Sequence, residues 1–208
     1  MLKIKQGQKL GNFLNNNEDN LTFNVFTRLL YLKEASFIEI LKNAFGIKHE
    51  LNNLNTVNFW PSWNSLNTYN NKRVIPDLFL RCDDYDIIIE AKRYDLGQQY
   101  DVQWENQIKA YQNEFKKEKK QLIYIPLGGM SYSSFSNSVA QVYQSYWFQL
   151  ANSCVRALGE LSDNENSTSK ILVDVLRILA FYGHTSLKTL NTLPKISIAT
   201  TPNYFTND

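Results

Sequence analysis

The chain is poor in the residues that staple proteins covalently or bind soft metals. Its 208 residues include only two cysteines and two histidines. Cys82 and Cys154 cannot build a disulfide framework, and His49 and His184 do not cluster with them. This spacing argues against a Cys/His zinc site and reads the thiols as free, buried and kept in a reducing compartment. The start, Met1-Leu2-Lys3-Ile4-Lys5, lacks the apolar run of a signal peptide, and no stretch approaches membrane-spanning length. The expectation is a cytoplasmic protein with no membrane partner. A formal charge of only +2 argues against a general polycationic binder but leaves room for one basic face beside an acidic pocket.

What the chain does have is apolar bulk. Hydrophobic residues make up 43%, with twelve Phe, twelve Tyr and four Trp, enough for one sizeable core. Residues 1–17 are polar and mixed and read as a lead-in. Leu21, Val25, Leu29, Leu30 and Leu32 recur at helical spacing, with Asp19 or Asn20 as the expected cap. A second helix is expected over Phe37–Ala44, broken near Gly46. Residues 47–75, with Phe59-Trp60-Pro61-Ser62-Trp63, predict no continuous element, and Trp60 and Trp63 read as packing residues. A strand is expected over residues 78–81 with Asp77 at its start, a turn at Asp83-Asp84, and a buried strand over Tyr85–Ala91 around Ile87-Ile88-Ile89. A helix over residues 102–118 ends in Lys116–Lys120, and a strand follows over Leu122–Leu127, stopped by Gly128-Gly129. Two helices, Val139–Leu158 and Ile171–Tyr182, are expected after it, with a polar loop at Ser162–Ser169 between them and the last helix packing on the sheet. The order strand, strand, helix, strand predicts an α/β fold with a crossover helix, as a single domain over residues 1–208 with a helical C-terminal part.

Charged residues interrupt this apolar pattern in one place, Pro76-Asp77 followed by Glu90-Ala91-Lys92. Hydrolysis of a phosphodiester needs a fixed divalent ion, an activated water and positive charge near the developing negative charge. Asp77 and Glu90 offer two carboxylates at facing positions of neighbouring strands, and the Ala91 carbonyl adds a third oxygen of the kind magnesium accepts. Glu90 and Lys92 are two residues apart and leave one face of their strand. An ammonium there can orient water or steady charge on phosphate. Burial of unpaired charge is costly, and a bound cation would compensate it. A plain ion pair between Glu90 and Lys92 is the competing reading.

The set Pro76-Asp77 … Glu90-Ala91-Lys92 resembles the signature of the PD-(D/E)XK nuclease superfamily, and of its small bacterial members. The resemblance implies a restriction-endonuclease-like fold, a central mixed sheet flanked by helices. Glu18 looks like the acid that the family often places on its first core helix, and Gln107-Ile108-Lys109-Ala110-Tyr111 looks like its Gln-x-x-x-Tyr element. It implies Asp77, Glu90, Ala91 and Glu18 as metal ligands, with Mg2+ as cofactor and Mn2+ as substitute. Lys92 would complete the catalytic group with Gln107 and Tyr111, which would support the lysine strand or touch the phosphate. The implied activity is a magnesium-dependent nuclease, a deoxyribonuclease first. The alternative is an inactive nucleic-acid-binding or regulatory protein on the same fold.

Lys72, Arg73 and Arg93 flank the signature and are candidate phosphate contacts, which position a backbone without reading bases. No zinc finger, Gly-rich phosphate loop or separate recognition domain is present. Recognition of nucleic acid would then fall to loops, to a second copy forming a homodimer, or to a partner protein.

Overall fold

A computed structural model describes residues 3–6, 18–69, 72–94, 96–130, 135–162 and 166–186, with side chains from residue 18 onward. The elements run β1 (Lys3–Gln6), α1 (Glu18–Leu29), α2 (Glu34–Phe45), β2 (Thr56–Phe59), β3 (Trp63–Asn64), β4 (Arg73–Val74), β5 (Leu78–Arg81) and β6 (Tyr85–Ala91). They continue with α3 (Asp101–Phe115), β7 (Gln121–Leu127), β8 (Ala140–Val142), α4 (Trp147–Gly159) and α5 (Asn166–Phe181). The main sheet has six strands in the order β1-β2-β5-β6-β7-β8. Its centre is antiparallel, β2 with β5 and β5 with β6, while β6, β7 and β8 run parallel and β1 pairs parallel with β2. The fold is thus mixed α/β, with a mixed sheet flanked by helices. No helix among the described residues is long and apolar enough to cross a membrane.

Strand alternation splits the interior into two cores. On β5, β6 and β7 the residues Leu78, Leu80, Ile87, Ile89, Ile123 and Ile125 face a large core shared with α1, α2, α4 and α5. Their neighbours Phe79, Ile88 and Tyr124 face the other side, where Trp104, Ile108 and Tyr111 of α3 cover them together with Trp63. Burial on both faces explains the unbroken run Ile87-Ile88-Ile89. The strand over Tyr85–Ala91 agrees residue for residue with the expectation. Trp60 and Trp63 are buried, as packing residues should be, and Cys82 and Cys154 are free and buried. Burial, with Asp86 close by, pushes the Cys82 thiol up to about 12, and burial alone does the same to Cys154. Both stay protonated and unreactive at neutral pH.

Several expectations need correcting. The lead-in holds a strand, β1, whose place is given by pairing with β2 rather than by its own pattern; residues 7–17 lie outside the described residues. Residues 47–75 hold three short strands. After β2 the chain turns through Trp60 at a φ of 50°, and the Trp60 amide donates to the Asp77 carbonyl at 3.0 Å. That left-handed residue before Pro61 hides the strand from a search for regular runs. Asp19 and Asn20 lie inside α1, which starts at Glu18, so neither caps it. The helix expected from Val139 starts only at Trp147. Residues 140–142 instead extend the parallel edge of β7, and the chain stays paired through Tyr143 N to Tyr124 O (2.9 Å) and Ser145 N to Pro126 O (3.0 Å). Gln149 then accepts from the Tyr146 amide at 2.8 Å and begins α4. Four-residue spacing of apolar groups cannot distinguish this edge from a helix, and tertiary pairing decides. α5 likewise starts at Asn166, inside the expected loop, and its main neighbours are α1 and α4.

Candidate active site

The β5–β6 register pairs Leu78 with Ile89, so one step on it sets Asp77 opposite Glu90. Both carboxylates lie on the α3 side of the sheet and are buried, 4% and 2% exposed. Asp77 Oδ2 accepts from the Ala91 amide at 2.9 Å, which ties the two strands together at their charged end. Its Oδ1 accepts no hydrogen bond from the described residues.

Glu90 is held on every side. Lys92 Nζ lies 2.6 Å from Oε1, Gln103 Nε2 donates to the same oxygen at 2.5 Å, and Gln107 Nε2 donates to Oε2 at 2.6 Å. Tyr124 Oη donates to Gln107 Oε1 at 2.7 Å and so fixes which way that amide points. Gln99 Nε2 donates to the Glu90 carbonyl at 2.8 Å, and Gln99 Oε1 accepts from Trp104 Nε1 at 2.7 Å. Residues 103 and 107 are one helical turn apart and present one face of α3 to the carboxylate.

Lys92 gathers the third acid. Its Nζ lies 3.1 Å from Glu18 Oε1, while Glu18 Oε2 accepts from the Arg93 amide at 3.2 Å. From the opposite layer, Trp147 Nε1 donates to the Lys92 carbonyl at 2.7 Å, and His184 Nε2 pairs with the Arg93 carbonyl at 2.7 Å. Gly128 and Gly129 close the floor at φ of 68° and 63°, and Gly129 passes so near that a Cβ there would lie 2.5 Å from Lys92 Cβ. Gly129→Ala therefore combines a left-handed backbone with a collision against the lysine stem. The expected cost is about 1–3 kcal/mol in a urea titration, with Lys92 displaced from Glu90.

Burial raises the Asp77 carboxyl well above the usual range, and Glu90 raises it further while Lys92 opposes. Glu90 is raised by burial too, against the pull of Lys92 and Gln107. For Lys92, burial works against the charge, but Glu90, Asp77 and Glu18 outweigh it and hold the ammonium protonated. Three carboxyl groups thus share one ammonium, and the cluster is short of positive charge. A divalent cation fits that deficit, since magnesium commonly uses one or two carboxylates and keeps its waters. Among the described residues, no three His, Cys, Asp or Glu side chains are arranged as a metal centre. Asp77 and Glu90 are the two acids facing each other, while Glu18 is engaged by Lys92.

A folded carboxyl with a raised pKa favours the native state while it is protonated, below the unfolded value near pH 4. That contribution is lost as pH rises through the higher folded value. In the presence of chelator, Asp77→Asn is expected to gain melting temperature relative to the wild type between about pH 4 and pH 7. A difference that stays flat or shrinks over that window would mean that Asp77 is not destabilised by its burial.

The remaining sequence candidates fall elsewhere. Tyr111 does not reach Glu90 or Lys92: its hydroxyl donates to Asp86 Oδ2 at 3.0 Å, four residues back along β6 and so about 13 Å away. Arg73 is exposed and donates to the Ser62 carbonyl at 2.6 Å and to Ser62 Oγ at 3.0 Å. Lys72 is exposed beside it. The Arg93 guanidinium lies over the Tyr94 ring, 4.9 Å from its centre. Gln103, Gln99, Trp147, His184 and Gly129 are site residues that sequence reasoning missed. The spacing 99, 103, 107 was the one available signal, three glutamines at four-residue intervals.

No family model matches the chain. Over 115 residues it is 36% identical to an uncharacterized protein of Pasteurella multocida (strain Pm70). The matched stretch is 54% of this chain and 43% of that protein, so the chain spans less than half of the relative's length.

Proposed function

We propose that the chain is a divalent-metal-dependent nuclease of the PD-(D/E)XK type, with a restriction-endonuclease-like fold, acting on nucleic acid and on DNA first. The observation that carries this reading is the pair of buried carboxylates, Asp77 and Glu90, facing each other beside the Lys92 ammonium, which also bonds the partly exposed Glu18. An ordinary structural ion pair would need one buried acid, and the second, Asp77, would be a cost without return. The strand register opposing Asp77 to Glu90, and the crossover helix α3 that delivers Gln107, support it further.

In this mechanism Asp77 and Glu90 would hold Mg2+ or Mn2+, and the Ala91 carbonyl would add a backbone oxygen. The carbonyls on either side, of Glu90 and Lys92, are already engaged by Gln99 and Trp147. When bound, the ion supplies a Lewis acid that polarises the phosphoryl oxygen and lowers the pKa of water. Gln103 and Gln107 fix the plane of the Glu90 carboxylate. Glu18 and the Trp147 bond hold Lys92 in position, and its ammonium orients the attacking water and steadies charge on the phosphate. Tyr111 has no part in this chemistry.

Incubation with linear, supercoiled and single-stranded DNA and with RNA, in Mg2+, Mn2+ or chelator, tests the proposal. Metal-dependent cleavage is expected, reduced at least about 100-fold in Asp77→Asn. Cleavage unchanged in that variant would sink the mechanism. Tight binding without cleavage by the wild type would favour the inactive regulatory alternative.

A further inference from the structure

Of the eleven exposed large apolar side chains among the described residues, seven fall between residues 66 and 102, on the segments that flank Asp77, Glu90 and Lys92. Three of the seven are tyrosines, Tyr69, Tyr94 and Tyr100, exposed to 77%, 55% and 65%. Each is fastened to the scaffold of the site. Tyr94 follows Lys92 by two residues, and its carbonyl accepts from the Gly129 amide. Tyr100 precedes the first turn of α3, three residues before Gln103. The Tyr69 amide donates to Asn106 Oδ1 at 2.8 Å, beside Gln107. These rings are open to solvent, and their backbones are held within a few residues of the groups that grip Glu90.

The charges around them do not form a track for a duplex backbone. Lys72, Arg73 and Arg93 on these segments, with Lys109 on α3, are interspersed with Asp101 and Glu105 at exposed positions of that helix. Neutralisation of phosphates therefore supplies a small share of any affinity. Flat rings supply the rest when bases are free to stack, and a base pair buried in a duplex offers no face to them. Arg93 over Tyr94 adds a cation to one such platform.

We infer that Tyr69, Tyr94 and Tyr100 form a stacking rim that binds unpaired nucleotides, so that the substrate is a single strand or a frayed or flapped end. This inference rests on the nuclease reading for its placement, but its test reads binding alone. Fluorescence anisotropy in chelator would compare a labelled thymidine oligonucleotide about 12 nucleotides long with a blunt duplex of that length. The single strand is expected to bind the wild-type chain more tightly. Tyr→Ala at each position is expected to weaken that binding by about tenfold, while Tyr→Phe, which keeps the ring, retains it. Equal or tighter binding of the duplex, no binding at all, or Ala variants that bind like the wild type would overturn the inference. So would a wild-type dimer in light scattering that the Ala variants convert to monomer, since the rim would then be an interface between copies. Cleavage with a rim that does not matter defeats the inference alone. Rim-dependent binding without cleavage in any metal supports the rim and defeats the nuclease proposal.

Discussion

Lys92→Met is expected to abolish most cleavage, by about 10²–10³-fold, while tightening Mn2+ binding at least about tenfold. The two effects have opposite signs because the ammonium does two things in this geometry. On the proposed mechanism it would steady charge on a transferring phosphate, so its loss would remove a stabilisation specific to the reaction. It also lies 2.6 Å from Glu90 Oε1 and 3.1 Å from Glu18 Oε1, within the acidic cluster that a divalent ion would neutralise. A methionine keeps the stem against Gly129 and removes the competing charge. The metal-free variant should be less stable, because a buried carboxylate loses its partner, and Mn2+ should restore that loss. Titration calorimetry with Mn2+ and thermal melts with and without the ion read these effects separately from turnover. A fall in Mn2+ affinity would mean that Glu90 is not a metal ligand and would remove the basis of the proposed mechanism.

The parts of this arrangement that were legible in the sequence are those built from local pattern. The run Ile87-Ile88-Ile89 ending in Glu90-Ala91-Lys92 marks a strand buried on both faces and broken by charge. Period two then puts Glu90 and Lys92 on one side. Asp77 could be set opposite Glu90 because the turn between them is short. Glu18 was found through the resemblance, and the structure brings it to Lys92 across 74 residues of sequence. The groups that fix Lys92 from behind could not be found in this way. Trp147 lies 55 residues from Lys92 and His184 91 residues from Arg93, and each bonds to a backbone carbonyl, which every residue carries, so nothing in the sequence marks the contact. The same limit explains β1 and β8, short edge strands whose existence depends on a neighbour rather than on their own composition. Gln103 was closest to being seen. Its spacing from Gln107 was available, but an exposed glutamine on a helix has many uses, and only the position of Glu90 selects one.

Tyr111 supports the lysine strand at its far end, and that contact leads to the largest stability effect expected in the molecule. Its four-residue spacing from Gln107 is real, but one turn of helix carries it away from Glu90 and onto Asp86. That carboxylate is wholly buried. Arg81 holds it with two hydrogen bonds of 3.0 Å, Tyr111 donates at 3.0 Å, and Lys120 Nζ lies 3.8 Å away while donating to the Cys82 carbonyl at 2.6 Å. Arg81 also pairs with Glu118 and lies over the Phe115 ring, and Asp86 beside it holds its charge firmly against the cost of burial. This cluster ties β5, β6, α3 and the start of β7 together at the end of the sheet away from Lys92. Asp86→Ala would leave a half-buried guanidinium and a buried hydroxyl without their partner, and is expected to cost about 3–5 kcal/mol. Tyr111→Phe removes one bond and is expected to cost about 1 kcal/mol. Urea titrations should give these as shifts in midpoint at constant slope. Cleavage per folded molecule should be unchanged in Tyr111→Phe, measured at a urea-free temperature well below its melting point. If that variant loses activity as Lys92→Met does, the cluster at Asp86 is part of the chemistry and the proposed site extends to that end of the sheet. If Asp86→Ala is as stable as the wild type, the burial and pairing of that carboxylate contribute nothing, and the fold is anchored elsewhere.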